Sequence, residues 1–321
     1  MRRITVIGGR ELTLLTACVL VAVAASAASP YFATVDNLST VLRNSVELMM
    51  VGLGMTLLLA MGGIDVSIGM VLGLAALGTG ALVGAGYGPL LPILAGPAVG
   101  ALLGLLTGAV VVLGGIPAIV ATLGLLGVFR AAIFLLLNGR WLSGLPPTLT
   151  NILSSDLLGV PIASIVIAAM YLAFWVALRH TPYGPHLLAI GNDEQKARLS
   201  GVTVRRVRIA TFLVSGLLAG VAAVFYVSTY RNVVTTVGGN IALEAIAAAV
   251  LGGTSITGGG CSLLGTALGV VLIRLLQNGL VLVGVPSLWQ TVVTGALVLL
   301  VLSGEAMRGR FFIPRLLLRP S

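Results

Sequence analysis

The sequence predicts an all-α, polytopic integral membrane protein with about ten transmembrane helices, organised as a single domain over residues 1–321. Three observations carry this expectation. First, 58% of the residues are hydrophobic and 8% charged, with a mean hydropathy of +1.13. A soluble domain carries about 25% charged residues, and this chain has too little polar side-chain surface to cover a soluble core. Second, apolar stretches near the ~20 residues needed to cross a bilayer recur at 11–30, 46–61, 66–86, 90–114, 117–137, 160–178, 209–229, 241–259, 262–284 and 288–304. Third, the basic residues gather at the N-terminus, in one central loop and in the C-terminal tail.

Each stretch has its own signature. Arg2, Arg3 and Arg10 ahead of an apolar run, with Ala-Ser-Ala-Ala-Ser at 25–29, imitate a secretory signal. The run from Leu12 to Ser29 is nevertheless long enough to span, so an uncleaved first helix is expected. The fifth stretch ends in a polar group, Arg130, Asn138 and Arg140. Trp141, Trp175 and Trp289 fall at span ends, where indole rings anchor at the membrane–water interface. The 43 glycines fit a membrane bundle, in which small residues let backbones approach closely.

The charge distribution fixes an expected orientation. Arginines occupy 2, 3 and 10; the segment 179–208 holds Arg179, Lys196, Arg198, Arg205, Arg206 and Arg208; the tail holds Arg308, Arg310, Arg315 and Arg319. Basic loops stay in the cytoplasm, so both termini are expected there, with six spans before the central loop and four after it. The net charge of +9 is thereby accounted for without nucleic acid as a partner; the partner it implies is membrane lipid.

Several chemistries are excluded or unsupported. No G-x-x-x-x-G-K-[ST] motif is present, so the chain holds no P-loop for ATP, and no H-E-x-x-H or G-x-S-x-G appears. Cys18 and Cys261 have no metal or disulfide spacing, and His180 and His186 read as solvated loop residues. No catalytic residue and no metal ligand is expected.

A weak internal repeat stands out. Gly62-Gly63-Ile64-Asp65-Val66-Ser67-Ile68-Gly69 and Gly252-Gly253-Thr254-Ser255-Ile256-Thr257-Gly258-Gly259 both read G-G-x-x-x-[ST]-x-G ahead of a small-residue apolar helix. Glycine-rich interruptions in corresponding positions point to broken helices beside a transport pathway; coincidence among many glycines is the plainer alternative. Asp65 and Ser67 read as a helix cap using the free amides after the break, or as pathway residues. Glu244 reads as an acid in a helix's first turn, or as a pathway residue. Arg274, Gln277 and Asn278 share a helical face by their spacing, which is expected to look into the bundle, with an Arg274 snorkelling to the interface as the alternative. Asn138, Thr254 and Ser255 complete the candidate pathway set.

The central polar segment, about 180–208, holds the sharpest local signal. In Gly191-Asn192-Asp193-Glu194-Gln195-Lys196-Ala197-Arg198-Leu199-Ser200-Gly201-Val202, Asn192 is expected as N-cap, acids fill the first turn, bases follow, and Gly201 stops the helix. A two-turn helix without a core of its own is expected to dock on another protein.

With these motifs in hand, the chain resembles the membrane permeases of bacterial sugar ABC importers, the ribose, xylose and arabinose type. The resemblance is carried by GGIDVSIG (62–69), IPAIVATLG (116–124), AIGNDEQKARLSGV (189–202), EAIAAAVLGGTSITGG (244–259) and QNGLVLVGVPSLWQ (277–290). IPAIVATLGLLGVFR and NGRWLSGLP, within 116–146, look most like the autoinducer-2 import subgroup. The resemblance implies a type II ABC importer permease of ten helices in the bacterial inner membrane. It implies a second permease chain, identical or different, ABC ATPase subunits that bind ATP, and a periplasmic substrate-binding protein. This chain itself would carry no cofactor and no enzymatic activity. Gly191, Asn192, Glu194, Ala197, Arg198 and Gly201 then correspond to a coupling helix gripped by the ATPase. Ala242, Cys261 and Arg274 depart from the family pattern, where a glutamate, a glycine and an apolar residue are usual. The competing reading is a stand-alone carrier with Asp65 or Glu244 as its proton-coupling group.

Overall fold

The computed structural model describes residues 9–157 and 160–286, together with scattered positions from 289 to 303. Arg2, Arg3, the tail arginines and the expected tenth span at 288–304 therefore lie outside the continuously described chain. The described part is helical throughout: α1 Gly9–Ala28, α2 Val35–Ala60, α3 Ile68–Gly84, α4 Leu90–Leu113, α5 Ala118–Leu136, α6 Thr150–Leu153, α7 Ile162–His180, α8 Tyr183–Asn192, α9 Glu194–Leu199, α10 Val204–Tyr230, α11 Ile241–Leu251 and α12 Leu263–Leu282. A two-residue hairpin, β1 Asp156–Leu157 with β2 Val160–Pro161, interrupts the helices. Seven of the described helices are long and apolar enough to cross a membrane, while α3 and α11 are shorter.

The α2 helix is the axis of the molecule. Every residue from Ser45 to Ala60 is buried, and α7, α8, α10, α11 and α12 all pack on it. A helix apolar on all sides belongs in a core. It begins well before the apolar stretch at 46, because Thr34 caps it by accepting a hydrogen bond from the Asn37 amide. Its polar first three turns therefore belong to the same helix as the buried half.

Glycines decide the closest helix pair. Gly96, Gly100 and Gly104 recur every fourth residue along α4 and so share one face. They meet Gly216 and Gly220 of α10, where a Cβ at Gly100 would overlap the Gly216 carbonyl oxygen and one at Gly220 would overlap that of Gly96. Close backbone approach of this kind gives membrane helices the contact area that lipid cannot supply through a hydrophobic effect.

Two crossings depart from simple helices. The α2–α3 connection ends α2 with a Schellman cap: Gly62 N–H donates to Leu59 O and Gly63 N–H to Leu58 O, both at 2.9 Å, with Gly62 at φ +78°. The α11–α12 connection ends α11 the same way, through Gly253 to Val250 and Thr254 to Ala249. The repeat read from the sequence is thus real as a local fold, but its register is one residue off. The left-handed residue is the first glycine of one pair and the second of the other, Gly253 at φ +95°.

The eighth expected span, 241–259, is also corrected. Only Ile241–Leu251 is helical, and 11 residues rise about 16 Å, half a hydrocarbon core. The segment 231–240 supplies the rest. Val233 packs at Gly80 of α3, Val237 at Gly73 and Gly238 at Gly69. Residues 235–240 are turns, closed by Val237 N–H to Val234 O at 3.2 Å and Gly239 N–H to Thr236 O at 3.1 Å. The Leu142↔Val233 bridge and the Arg231 Nε donation to Leu145 O at 2.8 Å pin its entrance. Val233 and Val237 are buried against α3, while Arg231, Thr236, Gly239 and Asn240 are exposed.

Gly100→Leu is expected to destabilise the α4–α10 pair by at least about 2 kcal/mol. A fall in the thermal unfolding midpoint in detergent checks this, with Gly124→Leu, whose glycine has open space around it, nearly unchanged.

Candidate functional site

Among the described residues two polar regions stand out in the apolar bundle. The first is the platform formed by α8 and α9. Here the cap differs from the sequence expectation. Asn192 is the last residue of α8, and Asp193, in extended backbone, caps α9 by accepting the Lys196 amide at 3.0 Å. Asn192 instead turns back, donating to Leu188 O at 2.7 Å. That amide-to-carboxylate bond holds the Asp193 carboxyl below its ordinary value. The cap is therefore present at neutral pH and is lost as pH falls through that lowered value.

Gly201 stops α9 as expected: at φ +82° it donates to Arg198 O at 3.1 Å while Val202 N–H donates to Ala197 O at 3.0 Å. Glu194 pairs with Arg198 at 2.8 Å and with Arg208 at 2.9 Å. Arg205, Arg206 and Arg208 are not loop residues, since α10 already begins at Val204. The second pair ties α9 to α10. Ala197 points inward and is buried against this chain, whereas Leu199 on α9 is 88% exposed. The sequence reading passed over Leu199; its signal was a leucine inside the most polar stretch of the chain.

Beneath the platform, Gly191 sits against both helix breaks. A Cβ there would overlap the Ala60 carbonyl oxygen at the end of α2, and one at Gly258 would come within 2.7 Å of the Gly191 Cα. The Gly259 amide donates to Ala60 O at 2.9 Å, joining the two breaks directly.

The second region lies between α2, α11 and α12. Arg274 Nη1 donates to Gln277 Oε1 at 2.7 Å and stands 3.6 Å from Glu244 Oε2; Gln277 Nε2 donates to Glu244 Oε1 at 3.2 Å. Glu47 of α2, 6% exposed, is within electrostatic reach of Arg274 and Glu244. The sequence reading did not single out Glu47, because it stands at the edge of the stretch 46–61 although it is mid-helix. Asn278 lies one step along and exchanges two 2.9 Å hydrogen bonds with Asn37. Buried charge at membrane depth is costly and marks functional sites by default.

The remaining candidates are placed elsewhere. Asp65, 3% exposed, accepts from the Ser67 amide at 2.8 Å and the Ser67 hydroxyl at 2.6 Å. It thus turns the chain into α3. Thr254 accepts the Ser262 amide at 3.3 Å and Ser255 bonds the Thr257 hydroxyl at 3.0 Å, both within the second break. Asn138, at φ +50°, is the left-handed residue that closes α5. Among the described residues no cluster of three or more His, Cys, Asp or Glu is placed to hold a metal ion.

Comparisons with known proteins show the family. A family model described as branched-chain amino acid transport system / permease component matches residues 37–302. The ribose import permease protein RbsC of Bacillus subtilis is 35% identical over 85% of this chain and 85% of its own. Its Escherichia coli K12 counterpart is 34% identical over 90% of this chain and 91% of its own. The autoinducer 2 import system permease protein LsrC of Enterobacter sp. strain 638 is 35% identical over 94% of this chain and 88% of its own. No solved structure matches the chain.

Arg274→Met is expected to destabilise the fold by about 3 kcal/mol, because it leaves the buried Glu47 and the half-buried Glu244 without their cation. Adding Glu244→Gln is expected to restore part of that loss. Equilibrium unfolding of the two singles and the double in mixed micelles gives the coupling.

Proposed function

The chain belongs to the branched-chain amino acid transport system / permease component family, and we propose that it is the membrane permease of an ABC importer for a sugar or sugar-like signal. The observation that carries this reading is identity of 34–35% with sugar and signal import permeases along 85–94% of the chain. On this reading a separate ATPase binds and hydrolyses ATP, a second permease chain completes the pathway, and a periplasmic binding protein delivers the solute. The basic loops, and with them both termini, face the cytoplasm of an inner membrane.

The α8–α9 platform is the surface for the ATPase. Three features support it: a helix closed at both ends by its own caps, ion pairs that hold its outer face, and Leu199 standing free of its own chain. An exposed apolar side chain amid polar residues is a natural anchor for a partner's pocket. Glu194 and Arg198 form the rim around it. Ala197 and Gly191 face the membrane domain instead, so their part is to seat the platform. The Glu47–Arg274–Glu244–Gln277 group offers donors and acceptors at membrane depth, as a polyhydroxylated solute requires. Asp65 has its carboxylate engaged by Ser67, which suits a cap better than a proton carrier.

The test is uptake into proteoliposomes holding this chain with its ATPase and binding protein, using labelled D-ribose and autoinducer-2 as probes. ATP inside the accessible compartment is expected to drive uptake of one of them. Uptake by this chain alone under a proton gradient would contradict the reading and restore the stand-alone carrier. Independently, Leu199→Asp is expected to weaken association with the ATPase by about tenfold. Its thermal midpoint stays unchanged, and co-purification with a titrated ATPase measures the loss.

A further inference from the structure

We infer that Gly191 is the contact through which the α8–α9 platform moves both broken helices at once, with Ala60, Gly258 and Gly259 as its counterparts. The inference rests on the platform being the ATPase surface and adds where its movement goes. A platform joined to the bundle only by α7 and α10 would act on those two helices through their connecting turns. The geometry gives it a third and shorter route. The backbone of Gly191 lies against the last carbonyl of α2 and against the backbone of Gly258, with no side chain between. The neighbouring Asn192 side chain sits over Gly259, where a Cβ would lie 2.5 Å from its Oδ1. The Gly259 amide in turn is bonded to Ala60 O at 2.9 Å. Three chain segments therefore share one backbone contact: the end of α8, the end of α2, and the turn between α11 and α12.

Two properties suit this contact to transmit displacement. Backbone against backbone leaves no rotamer to absorb a shift, and packed interiors pass strain on rather than dissipate it. The elements that lead away from it, α3 and α11, are buried over most of their length. The α2 break leads to α3, and the 252–262 turn follows α11, which carries Glu244. A push on Gly191 thus reaches the Glu244–Arg274 group through one short helix. Gly191, Gly258 and Gly259 are positioning residues; none needs to touch the solute.

The test uses the complete assembly of this chain, its ATPase and its binding protein in proteoliposomes. Gly191→Ala is expected to keep the ATPase bound and its turnover within about twofold, while solute delivered per ATP falls about tenfold. An unchanged ratio of solute to ATP overturns the inference and leaves the platform's docking role standing. Loss of ATP-driven uptake by the unmodified assembly removes the docking reading, and this inference with it. A second measurement leaves the glycines in place, in case the added methyl prevents folding. Spin labels are placed at Gln195 and Thr257, and at Gln195 and Leu113, with Cys18 and Cys261 replaced by alanine. Between nucleotide-free and vanadate-trapped states the 195–257 distance is expected to hold within about 2 Å while the 195–113 distance shifts by more. A 195–257 shift as large as the other overturns the inference.

Discussion

The hydrogen bond from the Gly259 amide to the Ala60 carbonyl, 2.9 Å long, joins the two places where this bundle abandons regular helix. Away from water an unpaired peptide group is costly, so a helix ends in packed surroundings only if its last groups find partners. Here α2 and α11 first close themselves with Schellman caps, which need a left-handed residue at Gly62 and at Gly253. The carbonyl left at Ala60 is then taken by the other break. Gly191 sits on the same carbonyl, so the loop between α7 and α10 is fixed by the requirement that satisfies the breaks. Side chains at these glycines would separate the three segments and reopen the account.

Charge follows the same economy of partners. Glu47, Glu244 and Arg274 lie where lone charge is expensive, and each is placed against groups from a different helix. Asp65 is buried as fully as Glu47 but engages its carboxylate with Ser67. The two acidic sites therefore differ in kind. One turns the chain; the other leaves donors and acceptors gathered between α2, α11 and α12.

The helices themselves were legible because a bilayer imposes one strong rule, length of apolar run, and nine of the ten expected stretches coincide with described helices in whole or part. Where the sequence misled, a local signal competed with a tertiary one. The start of α2 at Val35 was hidden because its first turns are polar and rely on Thr34. The apolar run 241–259 concealed a helix of half length, since composition does not register that 231–240 packs its backbone along α3. Asn192 and Asp193 are both good caps, and only the backbone turn after α8 chooses between them. Leu199 and Glu47 were missed for a common reason: each looked ordinary in its own stretch, and only the fold shows one stripped of neighbours and the other surrounded by them. The contact at Gly191 was beyond reach of sequence, because it joins Ala60 and the glycines 258 and 259, about 70 to 130 positions away, which share nothing but small size.

These pieces form one account: a bundle centred on α2, two capped breaks tied to each other, and a short helix seated on both and presenting Leu199 outward. Its central claim is that a separate ATPase grips α9. The most direct measurement is site-specific photo-crosslinking from Gln195 on α9 in intact membranes, with a second probe at Tyr87 at the opposite end of the bundle. The account predicts that the Gln195 probe captures the ATPase subunit while the Tyr87 probe does not. Capture of the ATPase from Tyr87, or from neither position while the assembly transports, would contradict it.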